Sequence, residues 1–152
     1  MLATAFSPSA LALLLLTALP SPAQALGINC RGSAICSQFF NGAATGHEAK
    51  VLADWIQGIE AEGYQPVAIN SDRIYKNGEQ IACYGRSSIC AFLQKTPNGL
   101  SGGDIRKIAK YIPEHGCTIC GSVPIDFPKT NDVNKGELTF NYVTKNCGNG
   151  IC

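Results

Sequence analysis

The residues best able to do chemistry are eight cysteines, and their spacing limits what they can do. Cys117 and Cys120 form a Cys-x-x-Cys pair in His115-Gly116-Cys117-Thr118-Ile119-Cys120-Gly121-Ser122. Cys30 and Cys36 form a wider pair near the start of the chain. A zinc site needs a second close-spaced Cys or His pair. Cys30 and Cys36 are too far apart for that, and His115 stands alone. A thioredoxin-like site needs a helix whose N-terminus lowers the thiol pKa. Here the helical pattern precedes the motif, so the dipole has the wrong sign. A c-type haem site needs His directly after the second cysteine, and position 121 is Gly. The remaining reading is structural. If each member of one pair bonds a member of the other, the N-terminus is riveted to the middle of the fold. With Cys83, Cys90, Cys147 and Cys152 the even count reads as four disulfides, with no metal and no cofactor.

Other candidate chemistry is sparse. His47 and His115 are the two histidines, and a general base needs an orienting partner and a nearby nucleophile. No His-Glu-x-x-His helix or phosphate-cradling glycine loop occurs. Asp126 and Asp132 lack EF-hand spacing and read as turn residues. Trp55 falls on an apolar helical stripe and reads as core. The chain's net charge of +1 gives no basis for nucleic-acid binding.

The context favours oxidation. Leu11–Leu19 is an apolar run, shorter than the about 20 residues that span a bilayer, and Ala23-Gln24-Ala25 offers a small-x-small cleavage pattern. Residues 1–25 are read as a signal peptide and 26–152 as one secreted domain, expected to be monomeric and without stable membrane insertion.

Several elements follow. Leu26–Ile28 reads as a short strand. Thr45-Gly46-His47-Glu48 matches a capping box, and Val51, Leu52, Trp55, Ile56 and Ile59 share one helical face. This predicts a first helix from Gly46 to Glu62, ended by Gly63. Val67–Ile69 reads as a short strand. Arg73–Lys76 and Glu79–Tyr84 read as a hairpin about Asn77-Gly78. Ser87–Gln94 reads as a short helix, and Pro97-Asn98-Gly99 as a turn. Ser101 caps a second helix whose inward stripe is Ile105, Ile108, Ala109 and Ile112, with Arg106, Lys107 and Lys110 towards water. Thr118–Cys120 reads as a strand, Val123–Asn134 as a loop, and Glu137–Val143 as a half-buried strand. The sum is an α+β fold, a two-layer α/β sandwich with an antiparallel sheet and two main helices.

Together these residues resemble a known family. Leu26-Gly27-Ile28-Asn29-Cys30-Arg31-Gly32-Ser33 with Cys36, then Ser101-Gly102, His115–Ser122, and Asn131-Asp132-Val133 through Asn141-Tyr142-Val143 resemble, in order, the killer protein four family. These are small secreted toxins named for a virally encoded killer toxin of a smut fungus. The resemblance implies an α/β sandwich, no enzymatic activity, and growth inhibition of competing fungal or host cells by block of calcium channels. It also implies the pairings Cys30–Cys117 and Cys36–Cys120. For the remainder Cys83–Cys90 and Cys147–Cys152 are favoured, as local loops that cost little entropy to close. The smut toxin carries cysteines between those matching Cys36 and Cys83 that this chain lacks. It places a lysine tied to toxicity two residues before the cysteine matching Cys83, where this chain has Ile81. Lys76 and Arg86, with Arg73, are then the expected contacts to a cell-surface target. The competing readings are a surface-interaction or effector protein on the same fold without channel block, and a small hydrolase.

Overall fold

The computed structural model describes residues 27–65 and 68–152. The signal-peptide reading of residues 1–25, Leu26, and Val67 of one expected strand lie outside the described residues. The protein is a disulfide-stapled α+β sandwich. Its elements are α1 (Glu48–Gln57), β1 (Ile74–Tyr75), β2 (Gln80–Tyr84), β3 (Ile89–Gln94), β4 (Leu100–Ser101), α2 (Gly102–Ala109), α3 (Tyr111–Glu114), β5 (Gly121–Pro124) and β6 (Glu137–Tyr142). The main sheet has the order β2-β3-β6-β5 and is antiparallel throughout.

Register explains which side is the core. Ala82 and Tyr84 of β2 stand opposite Ala91 and Ile89 of β3. Ala91 and Leu93 stand opposite Phe140 and Leu138 of β6, and Leu138 opposite Val123 of β5. All eight side chains join one buried cluster with Leu52, Ile56, Ile105, Ile108 and Ile112 of the helices. Successive strand residues alternate faces, so the other face carries the register pair Cys83 and Cys90. It also carries a polar chain in which the Thr139 hydroxyl donates to Gln94 at 2.9 Å and lies 3.0 Å from Ser122 Oγ.

Both sheet edges are covered by the chain ends. Asn29 bridges Ser122 beside β5, and Cys152 exchanges two backbone hydrogen bonds with Cys83 on β2 (2.8 and 3.1 Å). Leu26–Ile28 is thus not a strand among the described residues; a single bridge at Asn29 serves that edge.

Other local readings need correction. The first helix stops five residues early, because Gly58 takes φ +82° and its N–H and that of Ile59 close onto Trp55 and Asp54. Ile59 is consequently exposed. The Asn77-Gly78 turn exists, with Glu79 N–H on Lys76 O at 3.1 Å. Its flanking strands do not pair with each other, for β1 pairs with β4 and β2 with β3. Ser87–Gln94 is no helix; Ile89–Gln94 is the second strand of the sheet, with Ile89, Ala91 and Leu93 buried on the core face and Cys90, Phe92 and Gln94 running from buried to exposed on the other. Thr118–Cys120 is irregular, and the strand there begins at Gly121. Pro124 belongs to that strand rather than to a loop. The second helix has the expected cap, Ser101 Oγ accepting from Asp104 N–H at 3.1 Å, and the expected buried stripe.

Tyr84 carries a titratable consequence. Its side chain is 1% exposed and its hydroxyl donates to Glu62 at 2.7 Å. Burial first, then that hydrogen bond and the Glu62 charge, pushes its phenol from 10.0 up to about 12. A raised folded-state value means the stabilisation is complete below the unfolded value and is lost as pH rises through the folded one. The fold is expected to lose stability between pH 10.0 and about 12. Tyr84→Phe is expected to flatten that limb of a urea-midpoint-versus-pH profile; an unchanged limb would place the loss elsewhere.

Candidate functional site

The eight cysteines form four disulfides: Cys30–Cys117, Cys36–Cys120, Cys83–Cys90 and Cys147–Cys152. These are the pairs named from the resemblance and from loop length. The first two tie the N-terminal loop to the segment between α3 and β5. Their Cα–Cα distances are 5.0 and 5.7 Å. The third links adjacent strands across the outer face of the sheet. The fourth closes the tail that lies along the edge of β2. No cysteine is free. Among the described residues no group of three His, Cys, Asp or Glu side chains converges as a metal site.

Both histidines are exposed. His47 stands at the N-cap of α1 and His115 at the C-cap of α3. Neither ring hydrogen-bonds a described residue, and the two stand on different elements.

Glu48, the acid of the expected capping box, is buried. It is 0% exposed. Its carboxylate accepts from Thr45 N–H (2.5 Å), Thr45 Oγ1 (3.2 Å), Gly46 N–H (3.0 Å) and His47 N–H (3.1 Å). This is the acid half of the capping box, extended to three backbone donors. The expected reciprocal bond, in which the Thr45 hydroxyl accepts from the Glu48 N–H, is replaced by one in which that hydroxyl donates to the Glu48 carboxylate. The carboxylate lies at the positive end of α1, where the helix dipole favours it.

The cations chosen from sequence are not one cluster. Arg73 pairs with Glu79 and lies over the Tyr75 ring, 4.6 Å from its centroid. Glu79 also accepts the Lys76 N–H at 2.9 Å. Lys76 and Arg86 are exposed and make no ion pair with a described residue. Lys76 precedes β2 and Arg86 follows it. The five residues of β2 at about 3.3 Å each put roughly 16 Å between the two turns. Ile81 is 8% exposed and belongs to the core cluster, so the position of the family's lysine here serves packing.

A second basic surface lies beside α2. A groove of about 660 Å³ runs between α2, α3 and the segment Ile125–Lys129. Lys107 pairs with Asp104 at 2.8 Å; that bond first, then the one from Ser101, holds the Asp104 carboxyl below the usual carboxylate range. Lys110 lies over the Tyr111 ring at 5.2 Å. Arg106 does not point freely to water: it donates to Gln57 O at 2.9 Å and Ser71 Oγ at 3.0 Å. Sequence reasoning named these cations but missed the Tyr111–Phe127 edge-to-face pair beside them, with centroids 4.7 Å apart.

Comparison with known proteins gives one consistent result. The family model described as Kp4 matches residues 13–144. The KP4 killer toxin of Ustilago maydis P4 virus is 35% identical over 120 residues, 78% of this chain and 80% of that toxin.

Proposed function

Because this chain belongs to the Kp4 family, we propose that it is a secreted, non-enzymatic killer-toxin-like protein that inhibits the growth of competing fungal or host cells. The observation that carries the reading is the match across most of the chain to a killer toxin. The four disulfides fit a protein that works outside the cell, where such bonds persist. Residues 1–25 serve as the cleaved leader. The action is contact with a cell-surface target, a calcium channel, without insertion into the bilayer core. A cation on a long stem suits an anionic channel mouth. Ile81 cannot supply it, so Lys76 and Arg86 are the contacts, with Arg73 held back by Glu79.

Purified protein applied to other fungi and to plant roots tests this reading, and inhibition is the expected result. Replacing Lys76 and Arg86 together by Gln is expected to raise the half-inhibitory dose about tenfold, roughly 1.4 kcal/mol. The melting temperature is expected to stay unchanged, since exposed charges contribute little to stability. Because β2 separates the two, a narrow target mouth meets one of them, and one single substitution is expected to carry most of the loss. Full potency in the double variant would move the contact to the groove beside α2.

The burial of Ile81 favours a second reading, an effector or surface-interaction protein on the same fold without channel block. It predicts target binding with no inhibition of growth.

A further inference from the structure

The turn Ser37–Asn41 holds two phenylalanines where water is the only neighbour on most sides. Phe39 is 88% and Phe40 64% exposed. Their rings meet edge to face, with centroids 4.9 Å apart. Adjacent large apolar side chains at this exposure cost solvation and call for a covering surface.

The turn that presents them is built rather than loose. Phe40 N–H and Asn41 N–H both donate to Ser37 O (3.2 and 2.9 Å), and Ala44 N–H donates to Asn41 O at 2.9 Å. The disulfide Cys36–Cys120 fixes its first end. Asn41, itself buried, fixes the other by donating through Nδ2 to Ser87 O at 2.8 Å. That bond sets the aromatic tip beside the β2–β3 turn, which carries Arg86. The acid at this end of the sheet, Glu62, accepts the Tyr84 hydroxyl, and Arg86 forms no ion pair with it or with any other described residue.

We propose that this tip is a lipid-docking site: Phe39 and Phe40 enter the interfacial layer of a bilayer while Arg86 meets an anionic phosphate headgroup. Three features favour lipid over a pocket on a protein. The tip is a projecting turn with an apolar end. Two of its backbone donors are satisfied within the turn, as a water-poor layer requires. The Asn41–Ser87 bond ties the tip to the turn that carries the exposed Arg86, a cation of the kind that anionic headgroups attract. Two phenyl rings and one charge give reversible surface association, not insertion across the membrane. This inference does not depend on the channel reading, because vesicles contain no channel.

Flotation of the oxidised protein with phosphatidylcholine vesicles, with and without a minority of phosphatidylserine, tests it. Binding is expected to both, more strongly with phosphatidylserine. Phe39→Ser with Phe40→Ser is expected to reduce binding to both by at least about tenfold. Arg86→Gln is expected to reduce it about fivefold on phosphatidylserine vesicles alone. As a check independent of folding losses, Phe39→Trp is expected to keep binding and to shift its emission to shorter wavelength when vesicles are added. No flotation of the wild-type protein, equal flotation of the double serine variant, or a Phe39→Trp emission that vesicles leave unmoved would each overturn the proposal. Loss of growth inhibition in a double serine variant whose parent does not float would assign the tip to a protein pocket instead.

Discussion

Removing both N-terminal staples, by Cys30→Ala, Cys36→Ala, Cys117→Ala and Cys120→Ala together, is expected to unfold the protein at physiological temperature. Each staple closes a long loop, with sequence separations of 87 and 84. A loop of that size restricts the unfolded chain by about 4.5 kcal/mol. The two are not independent, however. With Cys36–Cys120 intact, Cys30–Cys117 adds only the arcs Cys30–Cys36 and Cys117–Cys120, about ten residues worth about 3 kcal/mol. Either pair removed alone is therefore expected to cost about 3 kcal/mol, and both together about 7 kcal/mol, more than the sum of the parts. A loss of about 7 kcal/mol is comparable to the whole stability of a domain this size. Urea unfolding of the two double variants and the quadruple variant checks the pattern. Simple additivity would show that the two staples hold independent parts of the chain.

Replacing Glu48 by Ala is the second large effect expected. The substitution strips one hydroxyl and three backbone donors at a part-buried helix entrance of their acceptor. Each buried donor left without a partner costs about 1–3 kcal/mol, and water entering the site offsets part of this. A net loss of about 3–4 kcal/mol is expected. Glu48→Gln keeps one acceptor oxygen and is expected to lose less. Hydrogen exchange at Gly46 and His47 N–H is expected to accelerate in Glu48→Ala before global unfolding. A loss under about 1 kcal/mol would mean that solvent reaches those donors freely in the native state.

These two sites differ in how far the sequence reveals them. The staples were legible because cysteine count, context and family resemblance all point to a crosslinked N-terminus. The second helix was legible because its signals are local: a capping serine, an apolar stripe at helical spacing and a charged outer face. Ile89–Gln94 was not, because Ile89–Leu93 is an unbroken apolar run without the alternation that distinguishes a strand from a helix. Asn77-Gly78 specified a turn correctly, but turn chemistry is local and the partner of each flanking strand is set by distant residues. The early stop at Gly58 was hidden by Ile59, which continues the apolar stripe in sequence while lying outside the helix. Glu48 read as the acid of a capping box, and the sequence carries no signal of its burial, since charged residues are seldom fully buried. Only the fold shows that the cap faces the interior. Arg73, Lys76 and Arg86 looked like one basic site because they are close in number, whereas β2 holds Lys76 and Arg86 at opposite ends. Phe39-Phe40 stood in a Gly- and Ser-containing loop with no apolar period around it, a signal of exposure that sequence reading passed over.

We propose that this Kp4-family protein inhibits growth by acting on calcium entry at the cell surface. The direct test is growth of competing fungi and plant roots exposed to the purified, oxidised protein, with and without excess external calcium. The account predicts inhibition that excess calcium relieves and that reduction and alkylation of the four disulfides abolish. Inhibition unaffected by calcium, or no inhibition of any cell tested, would contradict it.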